Sequence, residues 1–289
     1  MLAGVLAFPS GCAVSKKTVV PHSAVRPALD ATREALIARF HRQADSIRSI
    51  NAAVELNPVA GSAYTGVIED YRDIRGFILA QRPAHIRMIG QAPVVAKNIF
   101  DMVSDGESFR IFIPPKNKFV VGPAHFERRT EKPIENLRPQ HLVDALFWSE
   151  IPATALLLFE EFDASPDRFY ILTELRPGAT PEIARKVWFD RADFAIARVQ
   201  LFAAGGRVET DVFYSGWRAA AGLDFARHIT VRRPREDYSL QIRITKLTLN
   251  EEISADRFRL EQPPGTELVR VEPSKSDGPA TPRSQEFLR

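Results

Sequence analysis

Residues 74–91 read Ile-Arg-Gly-Phe-Ile-Leu-Ala-Gln-Arg-Pro-Ala-His-Ile-Arg-Met-Ile-Gly-Gln, with short apolar runs on either side of Gln81-Arg82-Pro83. Successive side chains of a strand point to opposite faces, and short runs bounded by turn residues indicate strands. Proline directly after polar residues is typical of a turn. The stretch therefore predicts two antiparallel strands, 74–81 and 84–90, joined by a tight connection.

The same pattern continues on both sides of this hairpin, with turn residues at intervals of about ten. Gly205-Gly206 is a clear later turn, because glycine permits the positive φ that short hairpin loops require. We expect about 11–13 of the predicted strands to form one antiparallel sheet. The further strand segments are 52–56, 64–71, 96–104, 108–114, 117–122, 154–161, 168–174, 185–190, 195–203, 207–216, 225–232, 238–248 and 257–260.

Two segments have the period of a helix instead. Apolar residues of 27–48 fall close to one stripe at a spacing of 3.6 residues, and a shorter helix is predicted at 140–149. Open twisted sheets of many strands tend to curl. We therefore predict an α+β fold, in which a strongly curved antiparallel sheet forms an incomplete β-barrel and the helices cover its concave face.

The N-terminal residues suggest export and lipidation. Residues 1–8 are apolar apart from Gly4, Ser10-Gly11-Cys12 follows, and Cys12 is the single cysteine of the chain. A lone thiol has no partner for a disulfide, and an apolar run before small residues is typical of an export signal. The segment resembles a bacterial lipoprotein signal, which implies acylation of Cys12, as by palmitate, and a membrane anchor. By the same resemblance Ala13 implies the periplasmic face of the outer membrane.

Composition predicts the remaining organisation. After the signal and acylated cysteine at 1–12, residues 13–26 are polar and are interpreted as a tether, and 27–262 as one folded domain. Residues 263–289 are rich in proline, serine, glycine and charge, which predicts a disordered tail. The 39 basic and 36 acidic residues leave a net charge of +3 without a clustered basic face, so we expect no nucleic-acid partner.

The sequence contains no recognisable catalytic or metal-binding arrangement. The six histidines are scattered, and no pair stands at a metal-ligand spacing with a carboxylate. Ser215 lacks the glycine two residues earlier that a nucleophile elbow would have. We therefore predict no enzyme activity, no metal site and no cofactor.

Three phrases in order resemble the LolA/LolB-like superfamily of periplasmic lipoprotein carriers and receptors. The first, residues 77–87, is similar to the family's strand, Arg-Pro turn and strand. The second comprises 102–106 and 109–114, and the third runs from Val187-Trp188-Phe189-Asp190 to Tyr214-Ser215-Gly216-Trp217. The resemblance covers roughly residues 27–262. It implies an incomplete barrel around helices, with an apolar cavity that accepts acyl chains of lipids or lipoproteins.

The inward alternation of the strands predicts which side chains would line such a cavity. Phenylalanine and methionine suit adaptable apolar pockets because flat rings and flexible thioethers tolerate different chain shapes. The predicted lining residues are Ile86, Met88, Phe100, Met102, Phe109, Ile111, Ile113 and Phe119.

Three functions remain open at this point. The first is the binding of lipid or lipoprotein acyl chains, for lipid or lipoprotein trafficking or outer-membrane assembly. The second is a sensing or protein-interaction module of the cell envelope, with an envelope protein as its partner. The third is a surface-anchored structural protein with a filled core. The membrane-facing loop is also left open between 61–64 and 90–95, and the connection 123–139 matches no part of the family pattern.

Overall fold

The fold is described from a computed structural model, which describes residues 27–62, 67–70, 74–92, 96–124, 138–164 and 166–271. The predicted signal and Cys12, the tether 13–26 and most of the connection 123–139 lie outside the described residues. The two predicted membrane-facing loops lie partly outside them.

The described residues form two α-helices and seventeen strands. The helices are α1, Arg33–Ser46, and α2, Pro139–Leu146, and short 3-10 helices occur at Pro114–Lys116 and Ala255–Phe258. The strands are β1 Ser49–Ser62, β2 Val67–Asp70, β3 Ile74–Gln81, β4 His85–Gln91, β5 Asn98–Ser104, β6 Ser108–Ile113, β7 Lys118–Pro123, β8 Leu156–Ala164, β9 Asp167–Arg176, β10 Glu182–Asp190, β11 Ile196–Ala203, β12 Arg207–Ser215, β13 Arg218–Ala220, β14 Leu223–Phe225, β15 His228–Arg233, β16 Tyr238–Leu249 and β17 Glu267–Arg270.

Fifteen of the strands within the described ranges form one sheet, in the order β17-β7-β6-β5-β4-β3-β1-β16-β15-β12-β11-β10-β9-β8, with β2 beside β1. Strands β13 and β14 make a separate ribbon. All pairs in the large sheet are antiparallel except β17 with β7. The terminal strands do not pair with each other across the described residues. The prediction of a large, unclosed antiparallel sheet with two helices is confirmed, while the predicted 11–13 strands were too few.

The contacts of α2 show that the sheet is curved. This helix contacts β4 and β5 on one side and β15 on the other, although five strand-to-strand steps separate β5 from β15. A flat sheet would place those strands about 24 Å apart, whereas a helix is about 10 Å across. Contact with both therefore requires the sheet to be strongly curved between β5 and β15.

Both helices bury an apolar stripe in one continuous core. Leu36 and Phe40 of α1 and Leu142 of α2 are at most 1% exposed. The same cluster contains side chains from strands across the sheet, such as Ile86 of β4 and Phe189 of β10. At the start of α1, the Thr32 hydroxyl accepts a hydrogen bond from the Ala35 amide at 3.2 Å, which caps the helix.

Two predictions about the C-terminal part were wrong. Residues 257–260, predicted as a strand, overlap the 3-10 helix Ala255–Phe258. Residues 267–270, predicted as part of the disordered tail 263–289, form β17, which pairs in parallel with β7 from Glu267↔Lys118 to Arg270↔Val121. Main-chain pairing with β7 orders residues 267–270, although their composition alone predicts disorder. Residues 272–289 lie outside the described residues.

The packing of α2 supports a direct stability test. Leu142→Ala should lower the free energy of unfolding by about 2–5 kcal/mol, because it opens a cavity between α2 and the sheet. Leu156→Ala is the matched control, since Leu156 is 50% exposed, and it should cost less than about 1 kcal/mol. Urea denaturation followed by circular dichroism measures both, and equal losses would contradict the described packing.

Candidate functional site

Seven of the eight predicted cavity-lining residues share the face of the sheet that packs against the helices. The register pairs Met88 with Met102 and Met102 with Ile111, and the alternation along β4, β5 and β6 brings the others to that face. Their side chains are packed rather than arranged around a hollow. Ile86, Met88, Met102 and Phe109 are at most 2% exposed, and Phe100, Ile111 and Ile113 are half-buried.

Phe119 lies on the opposite face, which corrects the prediction. It pairs with Phe112 across β6 and β7, and it packs with Val103 and Leu260 in a second, smaller apolar cluster. The preceding 3-10 turn, with Asn117 at a positive φ of 50°, sets which residues of β7 face the helices. Alternation alone identified the two faces of β7 without deciding which of them faces inward.

Side chains fill the space beside β4, β5 and β6. The ring of Phe100 lies directly against Gly90, where an added Cβ would come within 2.3 Å of a ring carbon. The guanidinium of Arg138 lies 5.2 Å from the centre of the Phe109 ring. Apart from Ile113, the predicted lining residues therefore belong to the apolar core or pack against it.

A small cavity lies elsewhere on the same face of the sheet. Its volume is about 10 Å³, which is room for roughly one water molecule. It is enclosed by side chains from α1, α2, the residues after α2, and the strands β12 and β15 with their connection. The lining residues are Gln43, Ala44, Ile47, Ala145, Leu146, Trp148, Tyr214, Trp217, Phe225, Ala226 and Ile229, none of which was predicted.

Aromatic side chains fill most of the space around this cavity. Trp148 stacks on Phe40 of α1, with ring centres 5.5 Å apart, and meets Tyr214 edge-on at 5.3 Å. The Trp148 indole N–H donates to the Tyr214 hydroxyl at 2.8 Å, and that hydroxyl donates to the Ala145 carbonyl at 2.9 Å. Burial raises the pKa of Tyr214, so the phenol stays a neutral donor. Trp217 completes the cluster at 6.3 Å from Trp148.

Arg82, in the Arg-Pro turn between β3 and β4, joins both helices to the sheet. Its guanidinium donates to the carbonyls of Ala44 and Ile47 at the end of α1, at 2.9 and 3.0 Å, and to the Trp148 carbonyl after α2, at 2.9 Å. It also lies 5.2 Å from the centre of the Phe147 ring. Desolvation lowers the pKa of Arg82 below its ordinary value, against the opposing carboxylates of Asp45 and Glu150.

Two further side chains hold the segment that follows α2, residues 147–151. Arg185 of β10 donates to the carbonyls of Ser149 and Glu150 at 2.7 and 3.3 Å, and pairs with Glu174 at 2.6 Å. His41 of α1 accepts a hydrogen bond from the Ile151 amide at 3.2 Å. The 147–151 segment thus closes the interior under side chains from both halves of the sheet.

This arrangement is suited to holding two helices over an apolar interior, and the described residues show no metal site. No group of three or more histidine, cysteine, aspartate or glutamate side chains is placed to bind a metal ion in that part of the chain. In the same residues, neither helix has the length and apolar character that crossing a membrane requires.

The fold is shared with solved structures, whereas sequence comparison finds no relative. No family model and no curated protein sequence matches the chain. A DUF1329 family protein from Desulfovibrio piger is 14% identical over 78% of this chain and 95% of its own, with a TM-score of 0.52. At that identity the likeness shows a common fold alone.

Two more distant solved structures are also similar. A LolA superfamily protein from Nitrosomonas europaea is 12% identical, with a TM-score of 0.47, over 80% of this chain and 99% of its own. A putative outer membrane lipoprotein-sorting protein domain from Vibrio parahaemolyticus is 8% identical, with a TM-score of 0.45, over 78% and 94%. Both scores lie below 0.5 and add no weight concerning function. The chain is thus similar in fold to structures of this kind, and the LolA/LolB-like resemblance indicated by the sequence stays a prediction.

The Arg82 contacts predict a measurable change in the interior. Arg82→Met should lower the free energy of unfolding by about 2–3 kcal/mol, because three carbonyls lose a charged donor. It should also expose Trp148 to acrylamide quenching. Arg82→Lys should recover only part of the loss, since one ammonium cannot reproduce the planar guanidinium. Arg75→Met, at an exposed position on β3, is the control. Tryptophan quenching that is the same in all four proteins would show that Arg82 does not hold the 147–151 segment.

Proposed function

We propose that this chain is a lipid-anchored protein of the cell envelope that binds acyl chains of lipids or lipoproteins between its sheet and its two helices. The helices, in this proposal, cover the concave face of the sheet and form the closed state of the binding site. The observation that carries the proposal is the set of hydrogen bonds from Arg82 to the carbonyls of Ala44, Ile47 and Trp148. One side chain ties α1 and the 147–151 segment to the sheet beside the small apolar cavity.

The proposal differs from the sequence expectation in where the chain enters. Seven of the eight predicted lining residues belong to the apolar core or pack against it, so we place the acyl chain instead beside Trp148, Tyr214 and Trp217. There the contacts that would have to break are hydrogen bonds to carbonyls and contacts between rings, rather than a continuous sheet. Opening would separate the 147–151 segment from α1 and leave an apolar space that excludes water from an acyl chain.

The cavity residues provide the test. Trp217, half-buried, lines the cavity, and its indole N–H donates to the Ile196 carbonyl at 3.1 Å. Trp217→Ala should leave an apolar void that takes up hydrocarbon, as engineered apolar cavities do, and should bind a dansyl-labelled fatty acid about tenfold more tightly than the wild type. Binding is followed by dansyl fluorescence.

Trp188→Ala is the matched control for this experiment. Trp188 is also half-buried, but it lies on the other face of the sheet, where Arg198 stacks on it at 4.8 Å. Its removal should leave fatty-acid affinity unchanged. No saturable binding to the wild type or to Trp217→Ala at micromolar probe would refute acyl-chain binding, and equal gains in both tryptophan variants would refute its location.

The proposed anchor is tested separately. Cells expressing the full chain and fed radiolabelled palmitate should incorporate label, because Cys12 is the single thiol and follows an apolar segment. Cys12→Ser should abolish incorporation and release the protein into the soluble periplasmic fraction, and Ser10→Ala controls for a change beside it. Equal labelling of the Cys12→Ser protein would exclude lipidation at this residue.

A further inference from the structure

The strand β8 ends the sheet with an open row of main-chain groups. Its register with β9 runs without a bulge to the last pair, Ala164↔Asp167, which only two residues connect. The pair that closes a two-residue hairpin loop is hydrogen-bonded, and hydrogen-bonded pairs alternate along the ladder. The even-numbered residues of β8 therefore bond to β9. The N–H and C=O groups of Leu157, Phe159, Glu161 and Asp163 point out of the sheet.

The side chains of β8 are as open as its main chain. Eight of its nine residues are exposed, with Leu156 at 50%, Leu158 at 53% and Phe162 at 44%. These three project from the face away from the helices, and Phe162 stacks on Phe169 of β9 at 6.3 Å. An apolar strip therefore runs along the outer face of the edge and is exposed among the described residues.

The opposite edge of the sheet ends in a short, charged strand. There the four-residue strand β17 pairs with β7, and its ends carry Glu267 and Arg270. Short, charged strands are a usual protection of sheet edges, as are lysine, proline and bulges. The nine residues of β8, Leu-Leu-Leu-Phe-Glu-Glu-Phe-Asp-Ala, contain no basic residue and no proline. This edge is thus left available for strand addition.

The negative charge of β8 indicates which kind of partner the edge can bind. Its second half carries Glu160, Glu161 and Asp163, of which Glu161 pairs with Arg191. Glu160 and Asp163 are exposed and make no ion pair among the described residues. A second copy pairing through the same edge would bring together six carboxylates, and like charges close together across strands are destabilising. The carboxylates favour a basic partner instead.

We infer that β8 is a docking edge for an extended segment of another protein, in which apolar side chains alternate with lysine or arginine. The segment adds one strand to the sheet. Its main chain bonds to the outward groups of Leu157, Phe159, Glu161 and Asp163. Its apolar side chains cover Leu156, Leu158 and Phe162, and its basic side chains lie on the opposite face, beside the carboxylates of Glu161 and Asp163. This interaction surface is separate from the acyl-chain site and does not depend on it.

The test uses the full chain and a fluorescein-labelled peptide of alternating valine and lysine, about ten residues long to match a strand. Saturable binding is expected by fluorescence anisotropy, weakening as salt is added. In hydrogen exchange followed by NMR, the amides of Leu157, Phe159, Glu161 and Asp163 should gain protection. A peptide with glutamate in place of lysine should not bind. A lysine peptide methylated at alternate amide nitrogens should not bind either, because it keeps its charge but cannot form the main-chain hydrogen bonds to β8.

Variants at the two edges of the sheet distinguish docking at β8 from non-specific binding of the peptide. Leu158→Lys, at a 53% exposed position, should weaken peptide binding about tenfold or more. Leu268→Lys on β17, at a 40% exposed position, should leave it unchanged. Asp163→Asn should reduce both the affinity and its salt dependence. Wild-type affinity in Leu158→Lys, or an equal loss in Leu268→Lys, would overturn the inference.

Other occupants of the edge would also overturn it. A dimer at micromolar protein that Leu158→Lys dissolves would assign β8 to a second copy. If the peptide binds only to the Lys16→Glu/Lys17→Glu variant, the chain's own basic N-terminal residues occupy β8 in the wild type. Binding to phosphatidylcholine vesicles that Leu158→Lys abolishes, without binding of the lysine peptide, would assign it to a membrane.

Discussion

A sheet of fifteen strands has to bury one whole face, and this chain has only two described helices of 14 and 8 residues to do so. A flat sheet of that width would leave most of its apolar face in water. Bending brings distant strands such as β5 and β15 onto the same short helix. The curvature is thus the consequence of burying a large area with little helix, and both the closed interior and the two open ends of the sheet follow from it.

Guanidinium groups hold this arrangement together where hydrophobic contact alone would not fix it. The last carbonyls of a helix have no partner within the helix and require one from outside. Arg82 supplies it for α1, and Arg82 and Arg185 bond the carbonyls of the 147–151 segment. Both side chains also lie over aromatic rings, Phe147 and Phe40. Each of the two arginines therefore combines hydrogen bonds to carbonyls with a contact to an aromatic ring.

Sequence patterns predicted the strands better than the site. The two-residue period and the Gly205-Gly206 turn, with φ of 76° and 69°, were reliable because they depend on neighbouring residues only. The face on which Phe119 lies depends on the turn before β7, and the pairing of β17 depends on an edge formed by residues about 150 positions earlier. Whether Met88 lines a hollow or a core depends on side chains that meet it in space. The role of Arg82 had one local sign, the Arg-Pro turn, whose partners are distant in sequence.

A filled interior and a binding interior are compatible if the free energy of opening is smaller than that of burying the ligand. Opening the 147–151 segment breaks a few charge-assisted hydrogen bonds, each worth about 1.5–3 kcal/mol, and separates several ring contacts of about 1 kcal/mol. Each buried methylene contributes about 0.8 kcal/mol, so a chain of about twelve supplies about 10 kcal/mol. The two free energies are similar, so the proposed function predicts that the closed state is the resting one and that occupancy depends on acyl-chain length. In the proposed function, a headgroup or short chain would leave the Arg82 contacts closed, whereas a long acyl chain would bring the open and closed states near balance, as exchange with a membrane requires.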